Sequence, residues 1–108
     1  MKTAFWKIWT QTNIEKKALE VLRRVLKRMG RPEQIISVEP YPKINGHVIR
    51  FSIELDSENW NYRIIEAFRI GQHVASGWTL TGNVDDDPGG RSSNVSASGV
   101  ALIEWSHR

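Results

Sequence analysis

His47, His73 and His107 are the obvious candidates for general-base or metal-ligand chemistry, and their spacing suits neither. A site built on one element needs histidines at H-x-H or H-x-x-x-H spacing, so that two rings converge on one ion or one proton. Here a hairpin, a helix and the final segment each carry one, and all three read as ordinary surface or hairpin histidines. The run Asp85-Asp86-Asp87-Pro88-Gly89-Gly90 is acidic enough to attract calcium, but it lacks the alternating ligands and distal glutamate of a calcium loop and reads as a solvated turn. Ser92, Ser93, Ser96 and Ser98 have neither an elbow motif nor a neighbouring base. Pro88-Gly89-Gly90-Arg91 lacks the glycine-lysine pair that closes a phosphate-binding loop. With no cysteine, thiolate nucleophiles and thiolate metal sites are excluded. The expectation is a chain with no catalytic residue, no metal and no cofactor.

Residues suited to binding are better represented. Tryptophan occurs five times. Trp60 and Trp78 fall on apolar positions and are expected in the core, whereas Trp6 and Trp9 lie an odd number of places apart on one strand and must point to opposite faces. One of them is then left on an open face. Placed near Tyr41 and Arg50, an exposed Trp9 has the composition of an interface hot spot. Charge is separated by sign: Arg23, Arg24, Lys27, Arg28 and Arg31 form one group, and Glu54, Asp56 and Glu58 together with Asp85, Asp86 and Asp87 form the other.

The elements that must position these residues can be read from local pattern. Phe5 to Thr10 is aromatic and β-branched, a first strand. Thr12 and Glu15 form a capping box ahead of a helix whose apolar residues, from Ile14 through Ala18, Val21, Leu22 and Val25 to Met29, recur at helical spacing until Gly30 and Pro32 end it. Asn45-Gly46 predicts a two-residue hairpin in which Ile44 faces His47, Val38 faces Ile53 and Ile36 faces Leu55. One hairpin face is then apolar, with Phe51 and Ile49 on it. The other carries Ser37, Glu39 and Tyr41 opposite Glu54, Ser52 and Arg50. Pro40 and Pro42 mark that end of the second strand as an edge or a bulge. A second helix is expected from about Ser57 to Ala75, with Trp60, Ile64, Ala67, Phe68 and Gly71 inward and Arg63, Glu66 and Arg69 outward. A fourth strand follows over Trp78 to Val84, then a loop, then a fifth strand over Val95 to Trp105.

The order β-α-β-β-α-β-β, with a hairpin apolar on one face only, predicts an α+β domain. Its expected form is a ferredoxin-like sheet, mainly antiparallel, with both helices on one face and an added C-terminal strand. Strand directions bring the two acidic groups and the basic end of the first helix to one pole. A chain of 108 residues with 40% apolar content closes one core, so residues 1–108 are read as one domain. No apolar run approaches membrane-spanning length and no signal-peptide core follows Met1, so a cytoplasmic protein without membrane contact is expected.

The tryptophan-rich Phe5-Trp6-Lys7-Ile8-Trp9, the passage Ser76-Gly77-Trp78-Thr79-Leu80-Thr81-Gly82 and the closing Ser98-Gly99-Val100-Ala101-Leu102-Ile103-Glu104-Trp105 resemble small bacterial immunity proteins of contact-dependent-inhibition and related polymorphic toxin systems. The resemblance implies a non-enzymatic protein, a monomer or weak dimer, that binds and blocks a cognate toxin domain, often a nuclease. The acidic residues suit a positively charged nuclease surface. The chain departs from that pattern in its net charge of +3, because nuclease inhibitors are commonly acidic. The alternative is an RNA-binding ferredoxin-like domain. Against it, Gly46-His47-Val48-Ile49-Arg50-Phe51-Ser52-Ile53 does not match the ribonucleoprotein signature and the register turns Phe51 under the helices. Nucleic acid is therefore not an expected specific partner, and the first helix is expected to hold phosphates only weakly.

Overall fold

A computed structural model of the chain describes residues 2–32 and 34–108. Strand β1 (Thr3–Thr10) leads into helix α1 (Glu15–Met29), and β2 (Gln34–Tyr41) and β3 (Gly46–Glu54) form a hairpin. Helix α2 (Trp60–Gln72) is followed by four short strands, β4 (Ala75–Ser76), β5 (Thr79–Thr81), β6 (Gly89–Ser92) and β7 (Asn94–Val95), and by the long β8 (Val100–His107). The fold is α+β. Six strands form one sheet in the order β2-β3-β1-β8-β6-β5, each adjacent pair antiparallel, and β4 and β7 make a separate two-stranded ladder.

Alternation along β1 decides which face the helices cover. Ala4, Trp6, Ile8 and Thr10 point inward and are buried, while Phe5, Lys7 and Trp9 point the other way. Trp6 lies between Phe51 of β3 and Trp105 of β8, and Ile8 between Ile49 and Ile103. Ala18, Val21, Leu22, Val25 and Met29 of α1 and Ala67 and Ile70 of α2 join the same core cluster, so both helices pack on one side of the sheet. Trp6 stacks on Phe51 with ring centroids 6.3 Å apart and meets Trp78 edge-on at 6.4 Å.

The stripe of α1 and its left-handed Gly30 cap (φ 66°) follow the sequence pattern. The capping box does not form: the helix begins at Glu15, Ile14 has no side-chain cap, and the Thr12 hydroxyl donates to the Ile14 carbonyl instead. Helix α2 starts at Trp60 rather than near Ser57, and Asn59 caps it, its side-chain oxygen accepting from the N–H groups of Asn61 and Tyr62. That helix stops at Gln72, before Ala75 enters β4.

The hairpin differs by four residues of register from the two-residue turn expected. Pro42 opens a 3-10 turn over Pro42–Ile44, Asn45 takes the left-handed conformation (φ 51°), and Tyr41, not Ile44, closes the loop opposite Gly46. Val38 accordingly faces Ile49 rather than Ile53. An even slip leaves every side chain on its original face, and Phe51 is fully buried under the helices. A bulge between Ile35 and Ser37 then turns Ile35 opposite Phe51, and both Ile35 and Ile36 are exposed at the sheet edge.

The last third of the chain departs furthest from expectation. Trp78 to Val84 supplies only the three-residue β5 at the outer edge, because Gly82 adopts a left-handed φ of 71° and starts a turn. The presumed loop contains β6, and Val100–His107 takes the place beside β1. Ile103, Trp105 and His107 face inward along β8, an alternation long enough to complete the core over Trp6 and Ile8, which β5 is too short to do.

At Gly46 an added Cβ would lie 1.8 Å from the Thr10 carbonyl oxygen, backbone that cannot swing aside. Gly46→Ala is expected to destabilise the domain by about 2 kcal/mol, measurable as a lower denaturation midpoint. An unchanged midpoint would show that β1 and the turn separate freely.

Candidate binding surfaces

The side of the sheet away from the helices is uncovered, and its centre is the outer row of β1. Phe5 is flanked by Ser52 and Ser106, Lys7 by Arg50 and Glu104, and Trp9 by Val48 and Leu102. The two serines are small, so Phe5 is 41% exposed at the floor of a basin of about 490 Å³ walled by Lys7, Ile36, Arg50, Arg91 and Glu104. Trp9 meets Tyr41 edge-on at 6.4 Å, and the Lys7 ammonium sits 5.1 Å from the Trp9 ring centre, a cation–π contact. Arg50 pairs with Glu39 at 3.3 Å, and the Arg91 Nε donates to Glu104 at 2.6 Å. The structure thus brings Trp9, Tyr41 and Arg50 together. Phe5 and Lys7 follow from the same parity once Trp6 is assigned to the core. Arg91 could not have been found that way, because its place depends on β6 lying next to β8.

The two acidic groups do meet at one pole. The Trp60 Nε1 donates to the Val84 carbonyl at 2.8 Å, joining the N-terminal end of α2 to the turn that holds Asp85, Asp86 and Asp87. That pole is not uniformly negative. Lys2 pairs with Glu58 at 2.6 Å, and Arg31 reaches Asp56 at 3.3 Å and Glu66 at 2.6 Å. The hydrogen bond between Lys2 and Glu58 raises the lysine pKa and lowers that of the glutamate. Among the described residues no ion pair engages Glu54, Asp85, Asp86 or Asp87. The Asp87 carboxylate instead accepts from the Asn83 N–H at 2.8 Å, the ordinary closure of a turn.

Glu66, expected on the outer side of α2, holds this pole together. Burial alone would raise its pKa, but the N–H groups of Asp56 and Ser57 and the Arg31 guanidinium all donate to its carboxylate and hold it at about 2.

Two of the histidines are structural rather than superficial. His107 is fully buried: Nδ1 donates to the Thr3 carbonyl at 2.9 Å, Nε2 accepts from Arg63 Nε at 3.1 Å, and the ring stacks on Trp60 at 4.7 Å. Arg63, expected outward, is turned in by this bond and also donates to the Glu58 carbonyl. His47 is buried with Nδ1 2.9 Å from the Thr12 carbonyl, tying the β1–α1 connection to β3, and only His73 is exposed. Tertiary pairing puts them there, which their isolated positions in sequence could not signal.

No helix among the described residues is long and apolar enough to cross a membrane. No family model matches the chain, and no match is found among curated proteins or solved structures.

Proposed function

We propose that the chain is a non-enzymatic protein-binding domain of the immunity type, which neutralises a cognate toxin domain by docking the uncovered face of its sheet against it. The observation that carries this reading is the outer row of the sheet, where Phe5, Lys7 and Arg50 line a basin that neither helix covers and the Trp9–Tyr41 pair continues the same face beyond it. Tyrosine, tryptophan and arginine in such pockets dominate binding energy at protein interfaces. The central order β2-β3-β1-β8 supports a ferredoxin-like framework in which the final strand serves as the fourth. RNA recognition fits less well, because the open side of β3 carries Arg50 and Ser52, with Val48 buried beside Trp9, and no ring to stack on a base. The acidic turn Asp85-Asp86-Asp87 sits at the pole as a steering element, and Arg31 and Lys2 leave Asp56 and Glu58 little part in it.

The test is titration against the toxic C-terminal domain of a secreted protein encoded beside this chain. Trp9→Ala combined with Arg50→Ala is expected to weaken binding at least about 100-fold while barely moving the melting temperature, since both side chains lie on the uncovered face. Reversal of Asp85, Asp86 and Asp87 to lysine is expected to slow association and flatten its salt dependence, leaving dissociation unchanged. Wild-type binding by the Trp9/Arg50 variant would remove the sheet face. Failure of the parent chain to bind or protect would remove the immunity reading.

A further inference from the structure

Helix α1 carries a second surface that toxin binding does not use. Every exposed residue of α1 is charged: Lys16, Lys17, Arg23, Arg24, Lys27 and Arg28 against Glu15 and Glu20. That is a surplus of four positive charges where the whole chain carries +3, so the remainder of the chain is slightly negative. Outside α1, Lys2 pairs with Glu58, Arg31 with Asp56 and Glu66, Arg50 with Glu39 and Arg91 with Glu104, and the other five cations, Lys7, Lys43, Arg63, Arg69 and Arg108, are spread over β1, the hairpin turn, α2 and the C-terminus rather than gathered on one element. Among the described residues none of the six helix cations is in an ion pair. Arg24 and Arg28 donate to neutral acceptors, the Ser98 carbonyl and the Ser96 hydroxyl, and keep their charge uncompensated. On a 3.6-residue turn Lys16, Arg23 and Lys27 fall on one line about 16 Å long, with Lys17, Arg24 and Arg28 on a parallel one.

We infer that this face of α1 docks on the phosphate backbone of double-stranded nucleic acid. Charge complementarity requires an anionic partner, and what the face lacks selects among anionic partners. It presents no exposed apolar residue, and a helix that inserts into a lipid surface must bury an apolar face. It has no aromatic or aliphatic anchor, and its arginines stand exposed on a helix surface rather than in the packed, desolvated pockets where hot-spot arginines act. It has no ring on which unpaired bases could stack, the main source of affinity for single strands. A duplex needs none of these, offers one negative charge per about 1.7 Å of axis, and binds a rigid rod of cations by counterion release alone. The sheet face competes poorly for the same ligand, because Arg50 and Arg91 are already paired there. Sequence preference is absent, since phosphate contacts carry none.

The proposal is independent of the toxin-binding reading and is tested on the full chain by fluorescence anisotropy with a random 20-base-pair duplex DNA between 50 and 200 mM salt. With about four phosphates engaged, the slope of log affinity against log salt is expected near −3.6, a loss of about 150-fold over that range. Lys16→Gln/Arg23→Gln/Lys27→Gln touches no hydrogen-bonded side chain and preserves helix propensity, so the melting temperature should hold while the slope falls to about −1. Lys7→Gln/Arg50→Gln should leave it unchanged. The idea is overturned if no duplex binding appears at 50 mM salt, if the triple variant binds like the parent, or if the Lys7/Arg50 variant is the one that loses binding. Equal or tighter binding of the single strand, or retention on anionic phospholipid vesicles without duplex binding, would overturn it as well.

Discussion

Trp6→Ala is expected to cost about 4 kcal/mol, a large part of the 5–15 kcal/mol that holds a domain of this size together. The indole is 2% exposed and is packed by Phe51, Trp78 and Trp105, three rings that cannot all close on a methyl group. Trp6→Phe should cost only about 1 kcal/mol, because Trp6 Nε1 is buried with no hydrogen-bond partner among the described residues and its removal relieves an unsatisfied donor while keeping a ring in place. Urea unfolding of the two variants measures both. Equal losses would mean that Nε1 has a partner and that polarity, not volume, is what the site needs.

Glu66→Ala is expected to cost about 3 kcal/mol near neutral pH, since it strips the N–H groups of Asp56 and Ser57 and leaves the Arg31 guanidinium only the exposed Asp56 carboxylate. The effect should depend on acid in a definite sense. The folded-state pKa of about 2 lies below the ordinary value of 4.5, so the carboxylate's contribution is fully present above 4.5 and is lost as the pH falls from there toward 2. Denaturation midpoints at pH 7, 4.5, 3 and 2 should therefore converge for parent and Glu66→Gln as acid is added. A constant gap across that range would show that the carboxylate is not charged in the way its donors require.

What could be read from sequence was what local spacing encodes. The buried row of α1 and the glycine that ends it depend on neighbours three and four residues away, and they were legible. So was the opposition of Trp6 and Trp9, a matter of parity, and with it the grouping of Trp9, Tyr41 and Arg50. The hairpin register was lost because Pro42 builds a turn that the Asn45-Gly46 pair alone does not specify. The place of Val100–His107 was lost because a strand's partner is chosen by long-range packing, and Trp105 shows its affinity for Trp6 only once the sheet exists. Charge signs at the acidic pole were legible, whereas their pairing with Lys2 and Arg31 was not, since those partners lie far away in sequence.

The seating of β8 against β1 also governs when the molecule can fold. His107 and Thr3 are hydrogen-bonded although 104 residues apart, and β1 lies between β3 and β8 in the sheet. Doubling the length of chain that must be closed adds only about 0.6 kcal/mol, so the equilibrium barely registers the arrangement. The rate does, because sheets stitched from distant segments fold in milliseconds to seconds rather than microseconds. On the ribosome, β1 and β3 emerge before β8 and can pair early, yet the other edge of β1 stays open until β8 has cleared the exit tunnel. Until β8 is seated, Trp6 and Ile8 have a floor and no second wall, and the core closes in one late step.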